Sequence, residues 1–416
     1  MSQPGIVRAA EGAVDPRRLR WITVVLAFAA GATVANLYYG QPLLDQVASA
    51  FAVSHGTAAL VVTLTQLGYA LGMVVLMPLG DLLENRALMV RTLLATTLAL
   101  VVAGVAPGFG LFLGASVLVG MTSVVAQILI PFAAHLAPEE QRGRFVGTVM
   151  TGLLLGILLA RTLSSFVAAA AGWRTIYLVS AVLMLVVAVT LRRVLPARRP
   201  DHVASYAKLM RSIVELVRTE PALRRRAVCQ ALLFGAFSTF WTAVAFELVK
   251  HGLNQAEIGV FALVGAAGAA AAPIAGRLAD RGHGRIGSGI ALVLAIASFV
   301  LAYLGAGSVI VLALAGVVLD LAVQGHQLFG QQEIYGLRAD ARARINTVYM
   351  TTVFVGGAIA TAISGTLYDR AGWQGVTVFG AVLPAIALVI WAVSAVRARR
   401  SAGDGAQRLL QESGGE

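Results

Sequence analysis

Long stretches of apolar residues alternate with short polar connections along the whole chain. Twelve of these stretches are each about 20 residues long, which a helix needs to cross the hydrocarbon core of a bilayer. The chain is 58% hydrophobic and only 12% charged, whereas soluble domains average roughly 25% charged residues. The pattern predicts an all-α integral membrane protein with twelve transmembrane helices, over residues 21–44, 57–79, 88–106, 111–134, 145–168, 173–193, 227–250, 257–275, 287–304, 309–334, 345–367 and 374–396.

Polar side chains interrupt three of these spans at helical spacing. Members of each series lie 0, 4, 7 and 11 residues from its start and therefore share one helical face. The series are Ser116, Gly120, Ser123 and Gln127 in the fourth span, Gln230, Phe234, Phe237 and Trp241 in the seventh, and Asp320, Gln324, Gln327 and Gln331 in the tenth. Because amides and carboxylates are costly in lipid, the stripes should either line an aqueous cavity or form hydrogen bonds between helices.

Basic residues are distributed unevenly between the connections. When the N-terminus is placed in the cytoplasm, the 32 Lys and Arg residues fall on the cytoplasmic side, except Arg161, Arg174, Lys250 and Arg370. The positive-inside rule therefore places both termini in the cytoplasm, and we expect a multi-pass protein of the bacterial cytoplasmic (inner) membrane. Anionic headgroups of membrane lipid account for the net charge of +12, so no nucleic-acid partner is expected.

Two parts of the chain carry related sequences at an offset of 200 residues. Each has an Arg-x-Arg start and a Gly-Trp end, at 142–173 and 342–373, and the same offset pairs Gln127 with Gln327. The repeat predicts two pseudo-symmetric six-helix halves. The predicted units are a cytoplasmic N-terminal tail (1–20), a first bundle (21–193), a cytoplasmic central loop with an amphipathic helix (194–226), a second bundle (227–396) and a cytoplasmic C-terminal tail (397–416).

Two loops at equivalent places in the halves share a motif. The loop after the eighth span reads GRLADRGHGR, from Gly276 to Arg285, and the loop after the second reads MPLGDLLENR, from Met77 to Arg86. They resemble the cytoplasmic signature G-x-L-A-D-R-x-G-R-[RK] of the major facilitator superfamily. The stretches NLYYGQPLL (36–44) and LDLAVQGHQ (319–327) are similar to those of its drug-efflux-like permeases.

The resemblance implies that the signature residues gate the cytoplasmic side. Those residues are Asp81, Arg86, Asp280, Arg281 and Arg285. A carboxylate at such a loop can accept bonds from the N-terminus of a neighbouring helix. By the resemblance, Asp81 would reach the eleventh span near Asn346, and Asp280 would reach the fifth span near Gly147. Solvated turns with topology-setting arginines are the alternative.

The same resemblance implies that the first, fourth, seventh and tenth spans line a central cavity. Three of these four carry the polar stripes, which favours cavity lining over hydrogen bonding between helices. The candidate substrate-binding residues are Asn36, Tyr39, Ser123, Gln127, Arg161, Phe234, Trp241, Gln324 and Gln327. The fifth span departs from drug–proton antiporters, because Ile157 replaces the expected proline and Ala160 and Arg161 replace the last two glycines.

Two ionisable residues fall well inside predicted spans. Asp320 lies 11 residues into the tenth span, about 16 Å along a helix axis. Arg161 lies about seven residues from the outer end of the fifth span, roughly 10 Å deep. Charged residues within a membrane mark functional sites by default. Asp320 is therefore the candidate for proton coupling, and a permanent ion pair between Asp320 and Arg161 is the structural alternative.

Three functions fit these features to different degrees. The first is a secondary transporter that works by alternating access and exports a small amphipathic molecule in exchange for protons. The second is proton-coupled uptake of a small anionic metabolite by the same fold, with Arg161 as its counter-charge. The third is an integral-membrane enzyme, but the sequence contains no HExxH, GxSxG or Walker motif. We expect a monomeric transporter without cofactor or metal, whose partners are its substrate, protons and membrane lipid.

Overall fold

The structure is a computed structural model that describes residues 16–197, 205–270, 275–278, 281–338 and 341–413. Nearly all of these residues are helical, and no strand occurs among them. Within these ranges nine helices are long and apolar enough to cross a membrane. Two shorter apolar helices, Leu19–Ala35 and Gln255–Gly265, lie where the first and eighth spans are predicted. The all-helical, multi-span architecture is confirmed, and the count of twelve remains a prediction.

The helices are numbered here in chain order. The first half contains α1 (Pro16–Ala35), α2 (Leu44–Phe51), α3 (His55–Val75), α4 (Asn85–Val105), α5 (Phe109–Thr122), α6 (Val125–Leu136), α7 (Arg142–Ala171) and α8 (Thr175–Val194). After the central α9 (Tyr206–Thr219), the second half contains α10 (Pro221–Lys250), α11 (Gln255–Ala262), α12 (Gly284–Leu304), α13 (Val309–Tyr335) and α14 (Arg342–Ser413).

The Gly-Trp end of each repeat has the same structural role. Gly172 ends α7 with φ 85°, and Gly372 interrupts α14 with φ 62°. Glycine takes these positive φ values without a Cβ penalty, so the chain can turn there between two membrane-length segments. The following tryptophans, Trp173 and Trp373, are both buried. The repeat that is visible in the sequence therefore corresponds to a repeated turn in the fold.

Three of the predicted spans are not single continuous helices in the structure. α1 ends at Ala35, and the chain continues through turns and a 3₁₀ segment, Gln41–Leu43, before α2 begins. The predicted first span, 21–44, is therefore not one continuous helix. α5 and α6 are separated at Ser123, and α11 passes into a 3₁₀ segment, Leu263–Ala270. Irregular backbone at membrane depth is tolerated where it is buried in protein or lines a cavity.

Glycine allows close helix packing within the first half. A Cβ added to Gly156 would lie 2.2 Å from the backbone oxygen of Gly31, where α7 crosses α1. A Cβ added to Gly120 would lie 1.9 Å from the backbone oxygen of Thr65, where α5 crosses α3. Neither backbone can move away cheaply, so these positions require glycine. Small residues at such crossings are typical of membrane helices.

Large apolar side chains cover the outside of the bundle. Leu98, Val182, Leu304 and Ile310 are each more than 60% exposed. In a water-soluble protein, exposed apolar surface on this scale would be an interaction or aggregation site. Here it forms the surface that a membrane-spanning protein presents to lipid.

The two halves meet along two helix pairs, α3 with α14 and α7 with α11. We call the end of the bundle that carries Arg86, Arg142, Arg225, Arg285 and Arg344 the arginine-rich end, and the other the opposite end. Contacts across the halves close the opposite end. The Asp369 carboxylate accepts a hydrogen bond from the backbone N–H of Gly56 at 2.8 Å. Gln255 donates to the Pro42 carbonyl at 2.9 Å and to the Ser165 hydroxyl at 3.2 Å.

The amphipathic α9 lies against the arginine-rich end. The Tyr206 hydroxyl donates to the Val75 carbonyl at 3.3 Å, and Leu216 is 2% exposed. Leu209 and Ile213 line a cavity there together with Met77, which follows the end of α3. The apolar face of α9 therefore packs against the helix bundle and connects the two halves by contact as well as by sequence.

Candidate functional site

A cavity of about 70 Å³ lies between the two halves, and we call it the central cavity. α7 forms its wall in the first half. In the second half, its wall is formed by α10, α13 and the 3₁₀ segment Leu263–Ala270 (hereafter the 3₁₀ segment). Its polar lining residues are Arg161, Asp320, Gln324, Gln327 and Gln331, and its other lining residues are Met150, Leu154, Ile157, Leu158, Phe237, Gly265, Gly268 and Leu328. The central cavity therefore combines a largely apolar wall, a row of amides and one ionisable group of each sign.

Asp320 lies at the edge of the central cavity and is 4% exposed. The indole N–H of Trp241, from α10, donates to its Oδ1 at 2.9 Å. The 3₁₀ segment approaches its other oxygen closely, because a Cβ added to Gly265 would lie 2.9 Å from Oδ2. Among the described residues, Trp241 is therefore the one hydrogen-bond donor to this carboxyl group, and its Oδ2 packs against Gly265.

Arg161 extends from α7 into the interface and is 2% exposed. Its Nε donates to the Gln41 side-chain oxygen at 2.7 Å, so the interrupted segment after α1 positions it. Its guanidinium carbon lies 5.0, 5.1 and 4.4 Å from the ring centroids of Tyr38, Phe237 and Trp241. These are cation–π distances, and such contacts are worth more in a desolvated site. Its Nη2 has no hydrogen-bond partner among the described residues.

Trp241 joins the two ionisable residues. Its ring faces Arg161 from one side, and its indole N–H binds Asp320. Among the described residues no salt bridge connects Arg161 with Asp320, so the permanent ion pair weighed as the structural alternative is absent from this conformation. The two charges are instead coupled through one aromatic side chain, and Arg161 Nη2 has no hydrogen-bond partner among the described residues.

The amide stripe of α13 faces the central cavity as its spacing predicts. Gln324 and Gln327 follow Asp320 along the lining, and Phe237 lies on the facing side. Phe234 stacks on Phe237 with ring centroids 5.5 Å apart and an interplanar angle of 17°. Phe234 therefore supports the wall without lining the cavity itself.

Four of the candidate binding residues are buried within the first half and do not line the central cavity. The Asn36 amide donates to the Ser123 hydroxyl at 3.4 Å and accepts from the Ser180 hydroxyl at 2.6 Å. Gln127 donates to the Tyr69 hydroxyl at 3.1 Å. Tyr39 is 2% exposed. In this conformation their contacts connect helices of one half, as in the alternative interpretation of the stripes.

Gln230 and His326, on α10 and α13, also pair away from the central cavity. His326 Nδ1 lies 2.6 Å from the Gln230 side-chain oxygen, and both side chains are fully buried. The seventh-span stripe therefore divides in two: Phe237 and Trp241 face the interface between the halves, whereas Gln230 faces the interior of the second half.

Comparison with known proteins decides the family. The sequence model of the Major Facilitator Superfamily matches residues 22–331. The chain belongs to this superfamily. It is 40% identical over 372 residues to "Uncharacterized transporter YgaY" of Escherichia coli O157:H7, covering 89% of this chain and 94% of that protein. It is 34% identical over 379 residues to "Probable transporter SCO4007" of Streptomyces coelicolor, covering 90% and 87%.

A solved structure supports the same fold. The bacterial homolog to the human lysosomal transporter Spinster, in an inward-facing and occupied conformation, matches with a TM-score of 0.76 at 14% identity. The match covers 92% of this chain and 98% of that chain. The resemblance inferred from the signature loops is therefore confirmed, and the chain is a membrane transporter of the superfamily, not an enzyme.

The described signature residues, Asp81, Arg86, Arg281 and Arg285, lie at the arginine-rich end. Asp81 lines a cavity of about 80 Å³ together with Ala343, Arg344 and Thr347, at the start of α14. The Thr347 hydroxyl lies 3.3 Å from the Met77 sulfur, so the two halves also touch here. Asp81 thus lies beside the helix start that the resemblance implied.

The other signature residues differ in their surroundings. Arg86 donates to the Leu195 carbonyl at 3.2 Å and lies 3.4 Å from the Glu84 carboxylate. Arg285 donates to the Ser394 carbonyl at 3.0 Å, and Arg281 is exposed. These bonds connect neighbouring segments within one half. Asp280 lies outside the described residues.

Sequence reasoning missed Gln41 and Tyr38 as parts of the site. Both come from the stretch NLYYGQPLL, which resembles that of drug-efflux-like permeases. The signal was present, because Pro42 lacks a backbone N–H and its ring disfavours a helical conformation in the residue before it. A helix break at this point inside an apolar span indicates a binding site in transporters.

Proposed function

We propose that this superfamily member is a secondary transporter that exports a small amphipathic organic molecule by alternating access, with a proton exchanged at Asp320. One observation carries the proposal: a buried carboxylate borders the cavity between the halves, and Trp241 is its one hydrogen-bond donor among the described residues. A movement of one half relative to the other would change the exposure of this group and so its tendency to hold a proton.

The proposed orientation places the arginine-rich end in the cytoplasm. The charge distribution supports this topology, with twelve spans and both termini on the cytoplasmic side. The contacts of Asp369, Gln255 and Gly56 would then close the outer side. The bacterial relatives support residence in a bacterial cytoplasmic membrane. We propose a monomer, because each half presents its cavity face to the other half of the same chain.

The lining of the central cavity supports an amphipathic substrate. Phe237 and Leu328 offer apolar contact, while Gln324 and Gln327 offer donors and acceptors that can orient a polar group. At about 70 Å³ the cavity is too small for an organic substrate, since ligand pockets usually measure about 300–1,000 Å³. Substrate entry therefore requires the halves to separate, and export requires this separation at the arginine-rich end, which the proposed orientation places in the cytoplasm.

A second candidate function is uptake of a small organic anion. It rests on Arg161, whose Nη2 is buried without a hydrogen-bond partner among the described residues. A carboxylate or phosphate in the central cavity would satisfy this N–H group by a charge-assisted bond. Export remains the primary proposal, because Asp320 would repel such an anion whenever it is ionised.

The test uses purified protein in sealed proteoliposomes. Compounds that raise the thermal midpoint of the protein are first selected from a library, since binding to the folded state raises apparent stability. Wild-type protein should move a selected compound uphill when a pH difference is imposed. Asp320→Asn should retain exchange of labelled for unlabelled compound but lose uphill movement. Uphill transport by Asp320→Asn at the wild-type rate would remove the proton role.

A further inference from the structure

A second and larger cavity lies inside the second half, at the arginine-rich end. Its volume is about 580 Å³, and its polar lining residues include Arg225, Arg226, Arg285, His326 and Glu333. It shares no lining residue with the central cavity. Helices α10, α12, α13 and α14 enclose it, so it is not the space between the halves. Nothing in the transport cycle described above uses it.

The charges of the described residues that line this cavity do not cancel. Glu333 accepts from Arg225 Nη2 at 2.8 Å and from Arg226 Nε at 2.6 Å. Arg226 also donates to the Ser288 hydroxyl at 2.9 Å and is 7% exposed, so its position is fixed. With Arg285 as a third guanidinium, three positive groups face one carboxylate among the described residues that line the cavity. An excess of positive charge in a partly enclosed space favours an anionic ligand.

His326 adds a second, independent feature. It is fully buried, it lines the cavity, and its Nε2 has no hydrogen-bond partner among the described residues. Its Nδ1 lies 2.6 Å from the Gln230 side-chain oxygen and donates to it, which makes Nε2 of the neutral ring an acceptor. A buried polar atom left unpaired is costly, so a ligand hydroxyl at this position would be stabilising.

The remaining wall is aromatic and orients Arg285. The Trp391 indole N–H donates to the Arg285 carbonyl at 3.1 Å, while the Arg285 guanidinium donates to the Ser394 carbonyl at 3.0 Å. Phe329 completes this side of the lining. The cavity opens near Arg225 and Glu333, whose side chains are 38% and 32% exposed. A ligand could therefore enter from the arginine-rich end.

We infer that this cavity binds a phosphate ester that carries a free hydroxyl, with the phosphate at the arginines and the hydroxyl at His326 Nε2. Two sources supply this chemistry: the headgroup of phosphatidylglycerol in the membrane, and a free polyol phosphate such as glycerol 3-phosphate. The inference does not depend on the substrate or direction of transport, because it concerns a separate cavity.

The experiment has one arm for each source. In the first arm, glycerol 3-phosphate is titrated into the full-length protein in detergent, and the thermal midpoint is followed, with inorganic phosphate as the comparison ligand. In the second, the protein is extracted from mixed phosphatidylglycerol and phosphatidylethanolamine membranes, and retained lipid is measured by native mass spectrometry. A response in either arm supports the site and identifies its source.

Two variants and one control assign the response to the cavity. Arg225→Ala should weaken binding roughly tenfold, the usual effect of losing one charge-assisted hydrogen bond. His326→Asn keeps a donor for Gln230 but removes Nε2, so it should abolish the preference for glycerol 3-phosphate over inorganic phosphate. Arg218→Ala, on the exposed face of α9, makes the same charge change as Arg225→Ala outside the cavity and should leave binding unchanged.

Two results would overturn the inference. The first is no response in either arm of the experiment. The second is a response that Arg218→Ala and Arg225→Ala weaken equally, because binding would then follow overall charge and not this cavity. Equal binding of inorganic phosphate and glycerol 3-phosphate by wild-type protein would likewise contradict the role of His326.

Discussion

The two halves of this transporter share a sequence repeat but place polar groups differently. Gln127 and Gln327 occupy equivalent positions, yet Gln127 bonds to Tyr69 inside the first half, whereas Gln327 lines the central cavity. The counterpart of Asp320 is Gly120, which lets α5 approach the backbone of α3. The first half thus uses these positions for helix packing, and the second half presents them to the cavity. Repeat-related positions of one fold can therefore serve helix packing in one half and line the transport cavity in the other.

Arg161 is the exception that completes the site. It belongs to the first half, but its guanidinium lies against Phe237 and Trp241 of the second. Its counterpart, Thr361, is fully buried. Because the arginine and the carboxylate come from different halves, their separation depends on how the halves are placed. A change of state would therefore alter the surroundings of both charges together.

The largest effect is expected at Arg161. Arg161→Met should lower transport roughly a hundredfold or more, because it removes a buried charge from an arranged set of partners and leaves the Gln41 oxygen unpaired. The matched variant is Thr361→Val at the equivalent position, where the hydroxyl has no hydrogen-bond partner among the described residues. Transport by Thr361→Val should stay within about twofold of wild type. Similar losses of transport in both variants would show that the two halves do not differ at this pair of equivalent positions.

A smaller effect is expected from the glycine pair Gly68 and Gly268. A Cβ at Gly68 would lie 2.2 Å from the Val117 backbone oxygen, whereas one at Gly268 would lie 3.1 Å from the Asp320 Cβ. Gly68→Ala should therefore destabilise the protein by about 1–3 kcal/mol, as overpacking usually does. Gly268→Ala should lower the thermal midpoint less but should impair uphill transport by displacing Asp320. If the two variants lose equal stability, the contrast in packing is wrong.

The smallest effect is expected from the paired glutamines. Gln127→Ala should cost about 1 kcal/mol of stability, the usual value of one hydrogen bond, without changing ligand affinity. Gln327→Ala should leave the thermal midpoint of the empty protein unchanged and weaken ligand binding several-fold. Thermal midpoints measured with and without ligand report both the change in stability and the change in ligand affinity. Weaker binding in Gln127→Ala would instead indicate that Gln127 meets the substrate in another conformation.

The sequence could predict the architecture because membrane helices obey strong local constraints. Apolar stretches of about 20 residues have few alternatives in a membrane, and the repeated Gly-Trp ends indicated two related halves. Spacing also placed Asp320, Gln324 and Gln327 on one face, and the structure has them lining one cavity.

The remaining parts of the site depend on contacts between distant segments. The spacing of Gln127 gives its helical face but not its neighbour, and Tyr69 of α3 happens to occupy that space. Gln41 reaches Arg161 across 120 residues of sequence, through a break in a span predicted to be continuous. Trp241 was predicted as a substrate contact. Its hydrogen bond to Asp320 could not be predicted, because it depends on how α10 packs on α13.

Proton exchange on ligand binding tests proton coupling at Asp320 most directly. A stabilising compound is added to detergent-purified protein in weakly buffered solution, and a pH indicator records protons released or taken up. Proton coupling at Asp320 predicts release of about one proton per bound ligand by wild-type protein and none by Asp320→Asn, with ligand still bound in both. Equal proton release by the two proteins, or no release by wild type, would contradict the assignment of coupling to Asp320.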